Sequence, residues 1–268
     1  MSGIPENRLV RVTAEGGVGV LSLADPEHRN TLSKQMSDDL AWAVDAALDD
    51  GARALVLTAE PPVFCAGGSL EGLLNRTVPL AEMYAGMERL AAAAVPTIAA
   101  VGGPAIGAGV NLPLACDVIL ASPAARFDPR FLDAGIHPGG GHLWRLAERV
   151  GAQGAAALVL CGDVLTGEEA ADMGLAWRCV PEDRLESTAL RLAGRAAERS
   201  APLVRRAKQT LLAGRALSSP KEAAELELAA QEWSVGRPEF AESVRSIQRK
   251  LAERRDGSGT SHTPPRSP

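Results

Sequence analysis

The stretch VPTIAAVGGPAIGAGVNLPLACDVILAS, Val95 to Ser122, decides how the rest of this chain is read. An apolar run from Thr97 to Val101 meets a glycine-rich turn, Gly102 to Gly109, with Pro104 inside it. A small-residue helix opening follows, Gly107-Ala108-Gly109-Val110-Asn111, and then a second apolar run from Val118 to Ala121. Strand, tight turn, helix start, strand: this order leaves backbone N–H groups without partners at the positive end of a helix dipole. An anion, or a negative charge that develops during a reaction, is held at such a place.

Upstream, the runs Leu9 to Val12 and Val18 to Leu23 alternate around Glu15-Gly16-Gly17 and are expected to form a β-hairpin. Met36, Leu40, Val44 and Leu48 recur at helical spacing between Ser33 and Asp50, with Ser33 as the expected N-cap. Ala54 to Thr58 is a buried strand, and it leads through Pro61-Pro62 into a second glycine turn, Val63-Phe64-Cys65-Ala66-Gly67-Gly68-Ser69-Leu70. A helix from Leu80 to Ala94 carries Met83, Met87 and Leu90 on its buried side. Beyond Ser122 the segment Ala125 to Phe131 is expected to be extended. A third glycine turn, Gly135 to Gly141, then opens helices around Leu143 to Val150 and Gly154 to Leu160.

A short helix (Glu168 to Met173) and a strand (Ala176 to Val180) come before four helices: Glu182 to Arg199, Ala201 to Ala213, Pro220 to Val235 and Pro238 to Arg255. The shift from α/β to all-α sets the expected boundaries. Residues 1–200 form an α/β core, 201–256 a helical region suited to oligomerisation, and 257–268 a disordered tail by composition.

At 268 residues the chain is long enough to bury a sizeable core. Its 28 basic and 33 acidic residues give a net charge of −5, and only 3% of residues are aromatic. No basic patch and no stacking surface is concentrated anywhere, which argues against nucleic-acid binding. No apolar run reaches the roughly 18 residues of a membrane span, and the N-terminus lacks a signal-peptide core. Cys65, Cys116, Cys161 and Cys179 sit singly in apolar segments without metal-ligand spacing. They are expected to be buried, reduced thiols of a cytoplasmic protein.

None of the three glycine turns is a phosphate loop or a dinucleotide fingerprint. Taken singly, each is more often a structural turn than a site. Two that each follow a buried strand and open a helix can instead supply paired backbone donors, which is what an oxyanion hole requires.

The ordered set of motifs resembles the enoyl-CoA hydratase/isomerase (crotonase) superfamily from about Val10 to Lys250. Pro26-Glu27-His28-Arg29-Asn30-Thr31-Leu32 resembles the turn before the first long helix. Phe64 to Leu70 resembles the segment F-x-A-G-x-D-L, and Ala105 to Leu112 with Cys116-Asp117 the segment A-x-G-G-G-x-E-L…C-D. Ile136 to Gly141 and Glu242 to Lys250 resemble the later glycine turn and the C-terminal helix.

The resemblance implies an α/β spiral of strand–strand–helix units with a C-terminal all-helical region, assembled as trimers or hexamers. It implies a CoA thioester as substrate, with no permanently bound cofactor and no metal. By position, the N–H groups of Ala66 and Ala108 become the oxyanion donors. Backbone around Arg29 and from Ala66 through Gly67 and Gly68 to Ser69 becomes the CoA site, and Lys250 (less so Arg249) reaches the phosphates of a CoA on a neighbouring subunit. A solvated helix face accounts for Lys250 and Arg249 equally well.

Two departures bear on the reaction. Where hydratases of this family carry two glutamates that handle water, this chain has Asn111 and Phe131. Asn does not take a proton at neutral pH, and Phe has no acid–base chemistry. Ser69 stands in place of the family's Asp, a milder change.

Asp133, two residues past Phe131, is the foremost substitute for the missing acid–base group, ahead of Asp128, Glu71, His137 and His142. The plainer readings are a salt bridge or cap for the two aspartates and a turn or helix start for the histidines. Asn111 either holds a water or substrate oxygen or simply caps its turn. Hydration of a 2-enoyl-CoA is therefore the expectation by resemblance. Another enolate reaction (isomerisation, decarboxylation or C–C cleavage) and a catalytically silent acyl-CoA binder stand beside it.

Overall fold

The computed structural model describes residues 8–75 and 78–257. The chain opens with a hairpin of β1 (Val10–Glu15) and β2 (Val18–Leu23), whose register sets Val10 opposite Leu23 and Glu15 opposite Val18. In α1 (Lys34–Asp49) the Ser33 hydroxyl accepts from the Met36 amide at 3.1 Å, the expected N-cap. β3 (Ala54–Ala59) precedes the second glycine turn, which opens α2 (Leu70–Asn75), and α3 (Leu80–Ala91) follows. The quoted stretch resolves into β4 (Thr97–Val101), β5 (Pro104–Ile106), a 3-10 turn at Gly107–Val110, α4 (Asn111–Leu114) and β6 (Val118–Ala121).

After β7 (Arg126–Asp128) comes α5 (His142–Leu160), interrupted at Gly151, whose φ of 71° and ψ of 171° divide it into the two expected helices. The core continues with β8 (Leu165–Thr166), α6 (Gly167–Asp172), β9 (Arg178–Cys179) and α7 (Glu182–Ala197). Three helices end the described chain: α8 (Ala201–Gly214), α9 (Pro220–Val235) and α10 (Pro238–Gly257).

Six strands form the main sheet in the order β1-β2-β3-β4-β6-β9, parallel from β2 onward. Side chains of a strand alternate between faces, and both faces here are covered. Leu21, Leu55, Leu57, Ala99, Val101 and Ile119 pack in the larger core with α1 and α3. Their neighbours Ala54, Val56, Ile98, Ala100 and Leu120 pack against Leu185, Ala189, Ala193 and Ala197 of α7. This is why the central strands read as continuous apolar runs. α1 and α3 approach closely: the Ser37 hydroxyl donates to the Glu82 carbonyl at 3.0 Å and accepts from the Gly86 amide at 2.9 Å.

A second sheet, β5-β7-β8, lies beyond the glycine turn. Its strands have three, three and two residues, too short to carry a periodic signal. The expected extension of Ala125 to Phe131 holds only through β7; residues 130–135 form a turn.

The cysteines also differ from expectation. All four are free, but Cys161, at the exposed end of α5, faces solvent, and Cys179 is half-buried.

By compactness the chain divides into Met1–Val204 and Arg205–Pro268, a boundary inside α8. In the second unit the Trp233 ring lies against the Arg206 and Arg237 guanidiniums, each 4.9 Å from a ring centroid. Leu211, Leu228, Ile247 and Leu251 there are exposed. The expected disordered tail lies outside the described residues except for Gly257, which closes α10.

Candidate functional site

The two glycine turns, some forty residues apart, are built into one another. The Cys65 amide donates to the Pro104 carbonyl at 3.2 Å, and the Ile106 amide donates to the Cys65 carbonyl at 2.9 Å. Together these bonds form a parallel bridge between Cys65 and Ala105. The approach leaves no room for side chains. A Cβ on Gly109 would stand 2.3 Å from the Cys65 carbonyl oxygen, and one on Gly67 would stand 2.5 Å from that of Ile106. Gly67 also has a φ of +92°, a left-handed conformation open to glycine. The same Gly67 position lies 3.5 Å from the Ala108 nitrogen, so the turns meet at that amide.

Which N–H groups remain unspent at this junction follows from the bonds around it. The Ala66 N–H donates to the Arg29 carbonyl at 3.0 Å, and the Ser69 N–H to the Leu32 carbonyl at 3.3 Å. The Leu32 N–H donates to the Gly67 carbonyl at 2.8 Å, and the backbone of Gly67 and Leu32 draws the Cys65 thiol pKa down. Burial nevertheless pushes the Cys65 thiol up to about 11. Gly68 N–H has no acceptor among the described residues. Ala108 is the second residue of its 3-10 turn, where an N–H has no partner within the turn.

The expected pairing of Ala66 with Ala108 therefore meets an obstacle: the Ala66 donor is already used by Arg29. The backbone leaves Gly68 and Ala108. Arg29 itself is left-handed, with a φ of 55°, at the end of the 3-10 turn Pro26–His28. That kink turns its carbonyl toward Ala66.

Gly68 and Ala108 both line a cavity of about 760 Å³. Its walls are largely apolar, with Leu70 and Leu73 from α2, Leu80, Met83 and Tyr84 from α3, and Ile136 from the third turn. A second hollow of about 650 Å³ adjoins it, lined by His28, Arg29, Ser33, Ala66, Gly68 and Ser69 among others. Arg29, Ala66 and Gly68 line both hollows, Gly67 the first and Ser69 the second. The Ser69 hydroxyl accepts from the Gly72 amide at 3.1 Å and so caps α2. Lys250 lies exposed on α10, in the second unit.

Asn111 and Phe131 have clear physical roles. Asn111 is fully buried. Its Nδ2 donates to the Gly139 carbonyl at 3.0 Å, and its Oδ1 accepts from His142 Nδ1 at 2.6 Å. Both ends of the amide are thereby spent inside the protein. Burial pushes His142 down to about 4, so the ring is neutral at pH 7 and Nδ1 carries its hydrogen. The ring stacks edgewise on Phe131, centroids 5.0 Å apart, and its Nε2 is buried without a hydrogen-bond partner.

Phe131 lines the cavity together with Asp133 and His137. Strand alternation does not put Phe131 and Asp133 on one side, because residues 130–135 turn. Asp133 reaches the cavity rim by that turn and is exposed. His137 Nδ1 donates to the Pro138 carbonyl at 2.7 Å. Asp128 pairs with Arg130, whose Nε donates at 2.8 Å, and Glu71 is exposed on α2.

Tyr84 is the cavity group that the sequence pattern did not single out. It is the only tyrosine of the chain and sits between Met83 and Met87 on a helix that reads as plain core. No group of three or more His, Cys, Asp or Glu side chains among the described residues is placed to hold a metal ion. No helix among them is long and apolar enough to cross a membrane.

An α/β core with two interlocked glycine turns at an apolar cavity, followed by a helical C-terminal region, has the crotonase fold, as its likeness to solved structures shows. The chain belongs to the enoyl-CoA hydratase/isomerase family, whose sequence profile matches residues 13–255. It is 38% identical over 255 residues to a probable enoyl-CoA hydratase of Mycobacterium tuberculosis, an alignment that covers 90% of this chain and 98% of that one. Among solved structures it resembles an enoyl-CoA hydratase subunit of Geobacillus kaustophilus, with a TM-score of 0.83, 30% identity and coverage of 92% and 97%. It also resembles human enoyl coenzyme A hydratase domain-containing protein 3, with a TM-score of 0.84, 26% identity and coverage of 91% and 98%.

Proposed function

We propose that this protein is an acyl-CoA-processing enzyme that binds a CoA thioester with its carbonyl oxygen between the N–H groups of Gly68 and Ala108. The single observation that carries this reading is that these two amides are unspent and both line one large apolar cavity, where the two glycine turns meet. Charge that develops on the oxygen as an enolate forms is stabilised by two preorganised donors. Removing one such donor typically costs about 3–4 kcal/mol of transition-state stabilisation.

The thioester's pantetheine and nucleotide run past Gly67 and Arg29 into the second hollow. The acyl chain lies among Leu70, Leu73, Leu80 and Met83, which suits an apolar tail. CoA enters as part of the substrate. Lys250 is assigned to the phosphates of a CoA on a neighbouring subunit by its place in the family's pattern alone, and a homotrimer or hexamer belongs to the same proposal.

Hydration of a 2-enoyl-CoA is the reaction we assign, with Asp133 as the base that takes a proton from water attacking the β-carbon. The names carried by the relatives and the position of Asp133 at the cavity rim support this assignment. Asn111 and Phe131 favour a second reading, in which the enolate arises by isomerisation, decarboxylation or C–C cleavage.

Loss of the conjugated enoyl-thioester absorbance of crotonyl-CoA and longer homologues tests the first reading. Deuterium exchange at the α-carbon of a saturated acyl-CoA, followed by mass spectrometry, tests for enolate formation by itself. Asp133→Asn is expected to lower hydration about 10²–10⁴-fold, the usual contribution of a general base. Tight binding of a CoA ester with neither activity would instead mean a silent acyl-CoA binder.

A further inference from the structure

Tyr84 projects from α3 into the cavity wall opposite the third glycine turn. Its ring lies so close to that turn that a Cβ on Gly140 would stand 2.8 Å from the ring carbons, and one on Gly139 would stand 3.0 Å from the hydroxyl oxygen. The same Gly140 position is 2.9 Å from Asn111 Nδ2, so the phenol and the buried amide share one corner of the site. The side chain is half-buried, yet its hydroxyl makes no hydrogen bond among the described residues. With no protein partner, the hydroxyl is open to whatever the cavity holds, water or substrate.

The other charged or titratable groups that line the cavity are Arg29, Arg130, Asp133 and His137. Arg130 is paired with Asp128, His137 donates to Pro138, and Asp133 is at the exposed rim. Arg29 is on the CoA side, at the boundary with the second hollow.

We propose that the Tyr84 phenol is the acid of this site, delivering its proton to the α-carbon of an enolate held at Gly68 and Ala108. The proposal rests on the enolate reading above. In the hydration direction, water oxygen bonds to the β-carbon and gives its proton to Asp133, while the π electrons move to the thioester oxygen. The oxyanion then re-forms its C=O bond as the α-carbon takes the Tyr84 proton. This breaks the O–H bond and leaves a phenolate, which Asp133 reprotonates through solvent. Burial raises the phenol above its ordinary value, so the hydroxyl carries its proton at neutral pH, as an acid must.

Tyr84→Phe keeps the ring against Gly139 and Gly140 and removes only the hydroxyl. Turnover of enoyl-CoA and α-deuterium incorporation are expected to fall about 10²–10⁴-fold, with no change in Kd for a saturated acyl-CoA. Because the chain holds one tyrosine, biosynthetic replacement with 3-fluorotyrosine acidifies this phenol alone. It is expected to move the alkaline limb of the kcat–pH profile to lower pH, which a packing role would not do. Wild-type rates in Tyr84→Phe, or an unmoved profile in the fluorinated protein, overturn the assignment to Tyr84 and leave the enolate reading standing. Saturable acyl-CoA binding by the unaltered protein with neither turnover nor exchange overturns both.

Discussion

On one side of the comparison stand two peptide N–H groups at the cavity, Gly68 and Ala108, held in a frame of backbone bonds between the Cys65 and Pro104–Ile106 segments. On the other stand side chains: Tyr84, Phe131 and Asp133 in the cavity wall, and Asn111 with His142, which packs on Phe131. The first depends on main-chain geometry and on close approaches at Gly67 and Gly109 that leave no room for a Cβ, so it tolerates change in the side chains around it. The second depends on side-chain identity, so a single substitution there changes its chemistry. The comparison separates a site's frame from the groups that act in it.

The comparison breaks most directly at Ala108. Ala108→Pro deletes one N–H, and we expect α-exchange and turnover to fall about 10²–10³-fold, or about 3–4 kcal/mol. Ala108→Ser, which keeps the N–H, should stay near wild type in the same kinetic assay. Equal losses in both would mean that shape and not the donor matters, and circular dichroism on each variant checks that the fold is retained.

Among these side chains the largest effect concerns stability. The folded pKa of His142, about 4, lies below its ordinary 6.5. The unfolded chain thus binds the extra proton between these values, and the stability present above pH 6.5 is lost as pH falls toward 4, levelling below that. At 1.36 kcal/mol per unit the loss is about 3 kcal/mol. His142→Gln should remove this part of the slope in urea unfolding measured across that pH window; an unchanged slope would place the titration elsewhere.

Asn111→Leu sharpens the contrast further. It leaves the Gly139 carbonyl and the His142 Nδ1–H without partners, at a cost of about 2–3 kcal/mol. If Asn111 is a clamp and not a proton carrier, the pH dependence of turnover is unmoved while the midpoint of unfolding falls. The smallest effect belongs to Ser69→Ala, which removes the cap of α2 and should cost about 1 kcal/mol. We expect it to raise KM more than it lowers kcat, since Leu70 and Leu73 of that helix line the acyl side.

Much of this was legible in the sequence, because the central strands and α1, α3 and α7 announce themselves by apolar runs and helical spacing. The short strands β5, β7 and β8 were not, since two or three residues form a strand only when a distant partner is present. The two glycine turns were legible as a place for negative charge to be held, and the structure bonds them to one another. Ala66 was the natural choice for one donor, by its place in the motif. What diverts its N–H is the Arg29 carbonyl, thirty-seven residues away in a left-handed kink, a long-range acceptor that no local pattern reveals. Asp133 reaches the cavity through the turn at 130–135, which follows an expected extension that ends early. Tyr84 escaped notice because an aromatic residue on a buried helix face looks like core.

The buried Cys65 thiol gives this architecture a clock. Its sulfur lies by the backbone of Leu32 and Gly67, where the two turns are stitched together, whereas Cys161 is open to solvent. An alkylating reagent should modify Cys161 at once and Cys65 only when the turns part, so the labelling rate of the Cys65 peptide, resolved by mass spectrometry from those of the buried Cys116 and half-buried Cys179, measures how often the donor pair comes undone. A thioester seated across both turns should lengthen that interval.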